Sequence, residues 1–160
     1  MATLSKADQL FEKYGESHQN KINKTIHWIA VPAIVFSLLG MIWSIPFPTQ
    51  LLPEKIAPFF NWATIGIALA LYYYYRLSAT LAFAMVILTF VMSLLIVEIE
   101  QSGMVLWQVS LAVFVIAWIF QFIGHKIEGK KPSFIDDVQY LLIGPLWLLH
   151  FVFKKLNIPY

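Results

Sequence analysis

The chain has 160 residues, 59% of them hydrophobic and 12% charged, with a mean hydropathy of +0.71; soluble domains carry about a quarter charged residues, so this inventory cannot cover a water-soluble surface. Its net charge of +2 comes from 11 Lys and Arg against 9 Asp and Glu scattered in short polar segments, which argues against nucleic acid as a partner. Cysteine is absent, which removes disulfides, thiol nucleophiles and iron–sulfur ligation and leaves His, Asp, Glu or carbonyl oxygens as metal ligands.

Residues 3 to 17 place Leu10, Phe11 and Tyr14 at helical spacing among charges, which predicts a short amphipathic helix on the headgroups or a soluble leader helix. Charges at Lys6, Asp8, Glu12, Lys13 and Glu16 break any apolar core, so this segment does not read as a cleavable signal peptide and the first span serves as the anchor. His27 to Ile45 is apolar and about long enough to cross roughly 30 Å of hydrocarbon, with Pro32 kinking it or capping its first turn. The stretch PFPTQLLPEKIAP holds four prolines and reads as the connection on the far side. A second span is predicted from about Phe59 to Tyr75, ending in a tyrosine run and Arg76 that suit a membrane interface. Leu77 to Val97 forms a third span, packed as a hairpin on the second and closed by Glu98 and Glu100. A fourth runs from about Met104 to Ile123.

The last apolar stretch, Val138 to Phe153, is interrupted by Gly144-Pro145 and is marginal for a full crossing. The fold class is thus an all-α polytopic transmembrane bundle of about four or five spans with an N-terminal surface helix, one integral membrane domain over residues 1–160. With the N-terminus inside, Lys6, Lys13, Lys21, Lys24, Arg76, Lys126, Lys130 and Lys131 all fall on the cytoplasmic side. Lys154 and Lys155 join them only if the last segment dips in at Pro145 and returns, so the charge rule favours a re-entrant final segment.

That topology brings His18, His27 and His125 to one membrane face. Any one of them alone reads as an ordinary interfacial residue, but three at one depth in so apolar a chain point to a site. His18 and His27 are nine residues apart, on opposite faces and about 13 Å apart along an unbroken helix. A shared site therefore needs a break between them, which Asn20, Asn23 and Thr25 favour. His18 is expected at the end of the surface helix and His27 in the first turn of the first span. Asn20 and Asn23 read first as capping residues, with a supporting role around the histidines as the alternative. Glu128 shares a helical face with His125 and can ligate a metal, accept an imidazole N–H or stay solvated. His150 can join only if the last segment bends back.

Four histidines are too few for the di-iron site of membrane hydroxylases, and their place at helix ends does not suit a b-type haem. A single non-haem Fe(II) on three or four histidines fits; zinc with three histidines and a water fits equally. The segments YGESHQNKINKTIHWIAVPAIVFS and WIFQFIGHKIEGKKPSFIDDVQYLLIGPLWLL together resemble the small membrane 2-hydroxy fatty acid dioxygenases of α-oxidation, in yeast and bacteria. The resemblance implies Fe(II)-dependent removal of the carboxyl carbon of a 2-hydroxy fatty acid by O2, leaving a chain one carbon shorter. It maps the family's histidines onto His18, His27 and His125, while His150 lies where relatives can carry an acidic residue. Lys126, Lys130 or Lys131 could attract the substrate carboxylate, although inside-facing lysines need no such role. A zinc-dependent lipid hydrolase and a non-enzymatic scaffold or lipid-binding protein are the competing readings. The compact chain favours a bacterial inner membrane over the endoplasmic reticulum, with the site on the cytoplasmic face.

Overall fold

The computed structural model describes residues 4–132 and 139–160, which form six α-helices and no strand; Thr3 and Val138, the predicted starts of the first and last elements, lie outside them. Helix α1 (Lys6–Gly15) is capped by Ser5, whose hydroxyl accepts the Asp8 backbone N–H. Asp8 also favours the positive end of the helix dipole. Its apolar face of Ala7, Phe11 and Tyr14 is buried against α6 (Gln139–Leu156), so α1 is docked on protein, where the sequence suggested headgroups.

Helix α2 (Lys21–Trp43) begins one turn and a half before the predicted start, because the Asn20 side chain accepts the Ile22 N–H and caps it there. The break between His18 and His27 is confined to residues 16–20, and His27 stands two turns into α2 and not in its first turn. Asn23 and Thr25 are helical, so only Asn20 caps. Pro32 is accommodated within the helix.

Helix α3 (Trp62–Leu77) starts at a reciprocal capping box between Asn61 and Thr64 and is joined by Ser78 alone to α4 (Ala79–Gln101), whose first turn Ser78 also caps. This is the predicted hairpin, shifted by two to three residues. Helix α5 (Leu106–Glu128) continues past Ile123 until Gly129, at φ +72°, ends it in the left-handed conformation that glycine tolerates.

Three helices, α2, α4 and α5, are long and apolar enough to cross a membrane, each spanning about 34 Å. The 16-residue α3 covers about 24 Å and runs between the same two ends: the Trp62 indole N–H donates to the Pro46 carbonyl beside the end of α2, and Ser78 joins it to the start of α4. The outward faces are apolar, with Phe83 and Phe90 more than half exposed, as contact with lipid requires.

The last segment differs from expectation. Helix α6 is unbroken through Pro145 and does not turn back. The missing proline N–H falls where Gly144 lets the helix lie close to Tyr14 and Val31, in a packed environment that keeps the helix continuous. Gln139 donates to the Tyr73 hydroxyl near the end of α3, while Lys154 lines a surface pocket with Asp8 of α1. Both termini of α6 are therefore at the end where α1 lies, which keeps Lys154 and Lys155 with the other cations without a re-entrant loop.

The closest packing joins α2 and α5. A Cβ on Gly40 would overlap the Ser110 hydroxyl, and one on Gly124 would overlap the Asn23 side-chain oxygen, so small residues let the two backbones approach. Asn23 cannot swing aside, because it is fully buried and its amide donates to Glu128. Gly124→Ala is expected to destabilise the protein by about 1–3 kcal/mol through overpacking. Gly66→Ala, whose added Cβ meets nothing within 4 Å, should gain up to about 1 kcal/mol in helix propensity. Thermal unfolding of the two variants in detergent checks these opposite signs.

Candidate metal centre

The five-residue break after α1 sets the first histidine. The Gly15 carbonyl accepts the His18 N–H, curling the chain back so that the His18 ring stacks on Tyr14 at 4.2 Å between centroids. The ring's Nδ1 meets the Tyr14 carbonyl at 2.6 Å. Two turns into α2, the His27 Nδ1 meets the Asn23 carbonyl one turn earlier, at 2.9 Å. A carbonyl only accepts, so both Nδ1 atoms carry the proton and both Nε2 atoms present lone pairs.

Those two Nε2 atoms face each other at 2.9 Å. A proton between them would make one ring cationic. Burial opposes this, pushing His18 down to about 4 against the weaker upward pull of its Tyr14 hydrogen bond. With both Nδ1 atoms on carbonyls, the two Nε2 lone pairs are directed at one another, a geometry suited to a shared cation.

His125, near the end of α5, completes the group. Its ring centroid is 4.9 Å from that of His18 and 5.1 Å from that of His27, and its buried Nδ1 has no hydrogen-bond partner. One ligand atom from each of His18, His27 and His125 lies within 4.8 Å of the others, and the three residues are at most 5% exposed. Three converging buried imidazoles suit a divalent first-row transition metal. Their nitrogen donors fit Fe(II) or zinc, and neither a calcium nor a magnesium site is built this way.

Glu128 is placed differently from a ligand. Its carboxylate accepts the backbone N–H groups of Gln19 and Asn20 at 2.8 and 2.9 Å and the Asn23 amide at 3.0 Å. It thereby ties the turn carrying His18 and the helix carrying His27 to the helix carrying His125. Lys130 donates to the Glu16 carbonyl at 2.7 Å and closes the same turn from outside. Asn20 caps α2, whereas Asn23, read from sequence first as a cap, is a buried support whose carbonyl orients His27.

His150 is not brought into this group. The unbroken α6 places Trp147, and not His150, beside His18, with 5.1 Å between ring centroids. One turn further on, His150 stacks on Phe11 at 4.9 Å and bonds the Trp147 carbonyl. The proposed fourth ligand depended on the chain bending back, and the unbroken helix removes that premise.

Three contributors were not singled out in the sequence: Tyr14 and Trp147, which wall in His18, and Gln121, one turn before His125. Gln121 is 7% exposed and its side-chain oxygen has no partner. A carboxamide inside an otherwise apolar span was the available signal. Gln121 lines a small cavity of about 50 Å3 together with His27, His125 and Tyr14, continued by aliphatic residues of α2. The site thus offers three histidines that could hold a metal, an unpartnered hydrogen-bond acceptor and an apolar extension.

The family model for 2-hydroxy-palmitic acid dioxygenase Mpo1-like proteins matches residues 4–156. The chain is 29% identical over 140 residues to the 2-hydroxy-palmitic acid dioxygenase MPO1 of Saccharomyces cerevisiae, covering 86% of this chain and 74% of that protein. No solved structure matches. On the family match over nearly its whole length, the chain belongs to the Mpo1-like family.

Proposed function

We propose that this protein is an Fe(II)-dependent dioxygenase that converts a 2-hydroxy fatty acid and O2 into the fatty acid one carbon shorter. The observation that carries the reading is the set of three buried imidazoles whose ring nitrogens converge within 4.8 Å, in a chain similar to a 2-hydroxy-palmitic acid dioxygenase. When bound, Fe(II) supplies the one-electron chemistry by which O2 can oxidise a 2-hydroxy acid.

The chain's residues do the rest. His18, His27 and His125 hold the ion, and three protein ligands leave room for a hydroxyl and a carboxylate of substrate together with O2. The unpartnered Gln121 oxygen accepts the substrate's 2-hydroxyl O–H and orients it. Tyr14 and Trp147 exclude water around His18. The cation-rich end of the bundle faces the cytoplasm by the charge rule, so the site opens at the inner surface of a membrane, with the bacterial plasma membrane favoured as its location.

The reaction balances without a further reductant: the four electrons taken from the hydroxylated carbon and the departing carboxyl group reduce one O2, releasing CO2 and water. Purified protein given only Fe(II), O2 and 2-hydroxypalmitate should therefore consume one O2 per CO2 released and form the fifteen-carbon acid, with no nicotinamide or 2-oxo acid added. Turnover that persists without oxygen in a zinc-loaded sample would support a hydrolase instead. Absence of any bound metal after anaerobic Fe(II) loading would leave a scaffold or lipid-binding protein.

A further inference from the structure

A second cavity, of about 440 Å3, lies between α2, α3, α4 and α6. Val35, Leu38 and Leu141 line both this cavity and the one beside His27 and His125, so the two adjoin along those aliphatic side chains. One stripe of α2 runs through both: His27, Val31, Val35, Leu38 and Ile42 follow helical spacing along a single face. From His27 to Ile42 the helix rises about 22 Å. An extended alkyl chain advances about 1.3 Å per carbon, from its bond length and angle, so that distance suits a tail of roughly seventeen carbons.

The chemistry is graded along this length. Free polar atoms sit at the histidine end, on Gln121 and His125. In the second cavity the polar side chains are turned to protein partners: the Tyr74 hydroxyl donates to the Leu142 carbonyl, Thr89 to the Met85 carbonyl, and Gln139 to the Tyr73 hydroxyl. What remains facing the cavity is apolar. A separate groove between α2 and α5, lined by Ile29, Val113 and Ile116, shares no residue with the histidine cavity.

We infer that the two cavities form one acyl-chain channel, with the substrate's polar head at the histidines and its methyl end between α2 and α3 beside Gly66. The inference rests on the 2-hydroxy fatty acid reading above and adds where the tail lies and what limits its length. Gly66 lines the second cavity, and a Cβ there meets open space. A larger side chain at this position shortens the channel without displacing a neighbour.

Two measurements on the full chain with Fe(II) test this. The first compares kcat/KM for 2-hydroxy acids of ten to eighteen carbons in wild type, Gly66→Leu and the outer-groove control Val113→Phe. Gly66→Leu should lose about tenfold or more on the sixteen- and eighteen-carbon acids and stay within about twofold on the ten-carbon acid, with Val113→Phe unchanged throughout. An equal effect of Gly66→Leu at all chain lengths overturns the channel. The second uses 2-hydroxypalmitate carrying a diazirine at its terminal carbon, followed by peptide mapping. Labelling at Gly66, Ile67 or Ala70 supports the channel; labelling at Val113 or Ile116, or on lipid-facing Phe83 and Phe90, overturns it. Because photolabelling needs no turnover, it still decides the channel if wild type fails to oxidise any 2-hydroxy acid, a result that would count against the dioxygenase reading alone.

Discussion

Alanine at His18, His27 or His125 is expected to abolish stoichiometric iron binding and to reduce oxygen-dependent turnover by well over the roughly hundredfold that loss of an outer partner costs a metal site. The expectation has a second, less usual part. In the metal-free protein the His18 and His27 Nε2 atoms face each other at 2.9 Å while both Nδ1 atoms face carbonyls, so each ring is both a packed group and half of a pair of facing acceptors. Removing one ring loses packing and relieves repulsion, two effects of opposite sign. The metal-free melting temperature of His27→Ala should therefore shift little, whereas the stabilisation conferred by Fe(II) disappears. In wild type that stabilisation follows mass action and amounts to about 2.7 kcal/mol at a free metal concentration a hundred times the Kd. His150→Ala is the control: its ring packs on Phe11, outside the triad, so it should keep full iron content. Metal analysis of the four variants, with and without Fe(II) during a thermal scan, checks both parts. Loss of iron in His150→Ala, or its retention in His27→Ala, would mean that the metal is held elsewhere.

Glu128→Ala should weaken the site without destroying it. The carboxylate holds two backbone N–H groups and the Asn23 amide, and hydrogen bonds to a charged group contribute about 1.5–3 kcal/mol each when shielded. Glu128 is only partly buried, and water can replace some of these bonds, so a total loss near 2 kcal/mol is the reasonable scale. The consequence is local: the turn carrying His18 loosens relative to α5, and iron affinity falls by about ten- to a hundredfold. Excess Fe(II) should restore activity to Glu128→Ala but not to the histidine variants, which separates a residue that positions ligands from the ligands themselves. Glu128→Gln keeps one accepting oxygen and should fall between wild type and alanine. Failure of Fe(II) to rescue Glu128→Ala would place its carboxylate on the metal.

Membrane residence, the helical class and the hairpin of α3 and α4 were legible in the sequence, because the depth of a segment follows from its hydropathy and because Ser78 leaves no room for a loop. The meeting of His18, His27 and His125 followed from the same reasoning: three residues at the ends of apolar spans must share a depth, and a nine-residue spacing demands a break between two of them. Hydropathy says nothing about rotation around a helix axis, however, and rotation is what aims side chains. That Glu128 faces the His18 turn, that Asn23 presses on Gly124, and that Gln121 points into a cavity all depend on how closely α2 and α5 pack through their small residues. The path of α6 was misread for a related reason. Gly144-Pro145 looks like a break when only local propensity is weighed, but with contacts to Tyr14 and Val31 on one side and Tyr74 on the other the helix runs through it unbroken. That continuity carries Trp147 to the triad and leaves His150 outside it. The sequence by itself determined the membrane class, the spans and the triad's common depth, because these depend on composition and spacing alone; the tertiary structure decided which polar groups face one another, because only packing sets helix rotation and direction.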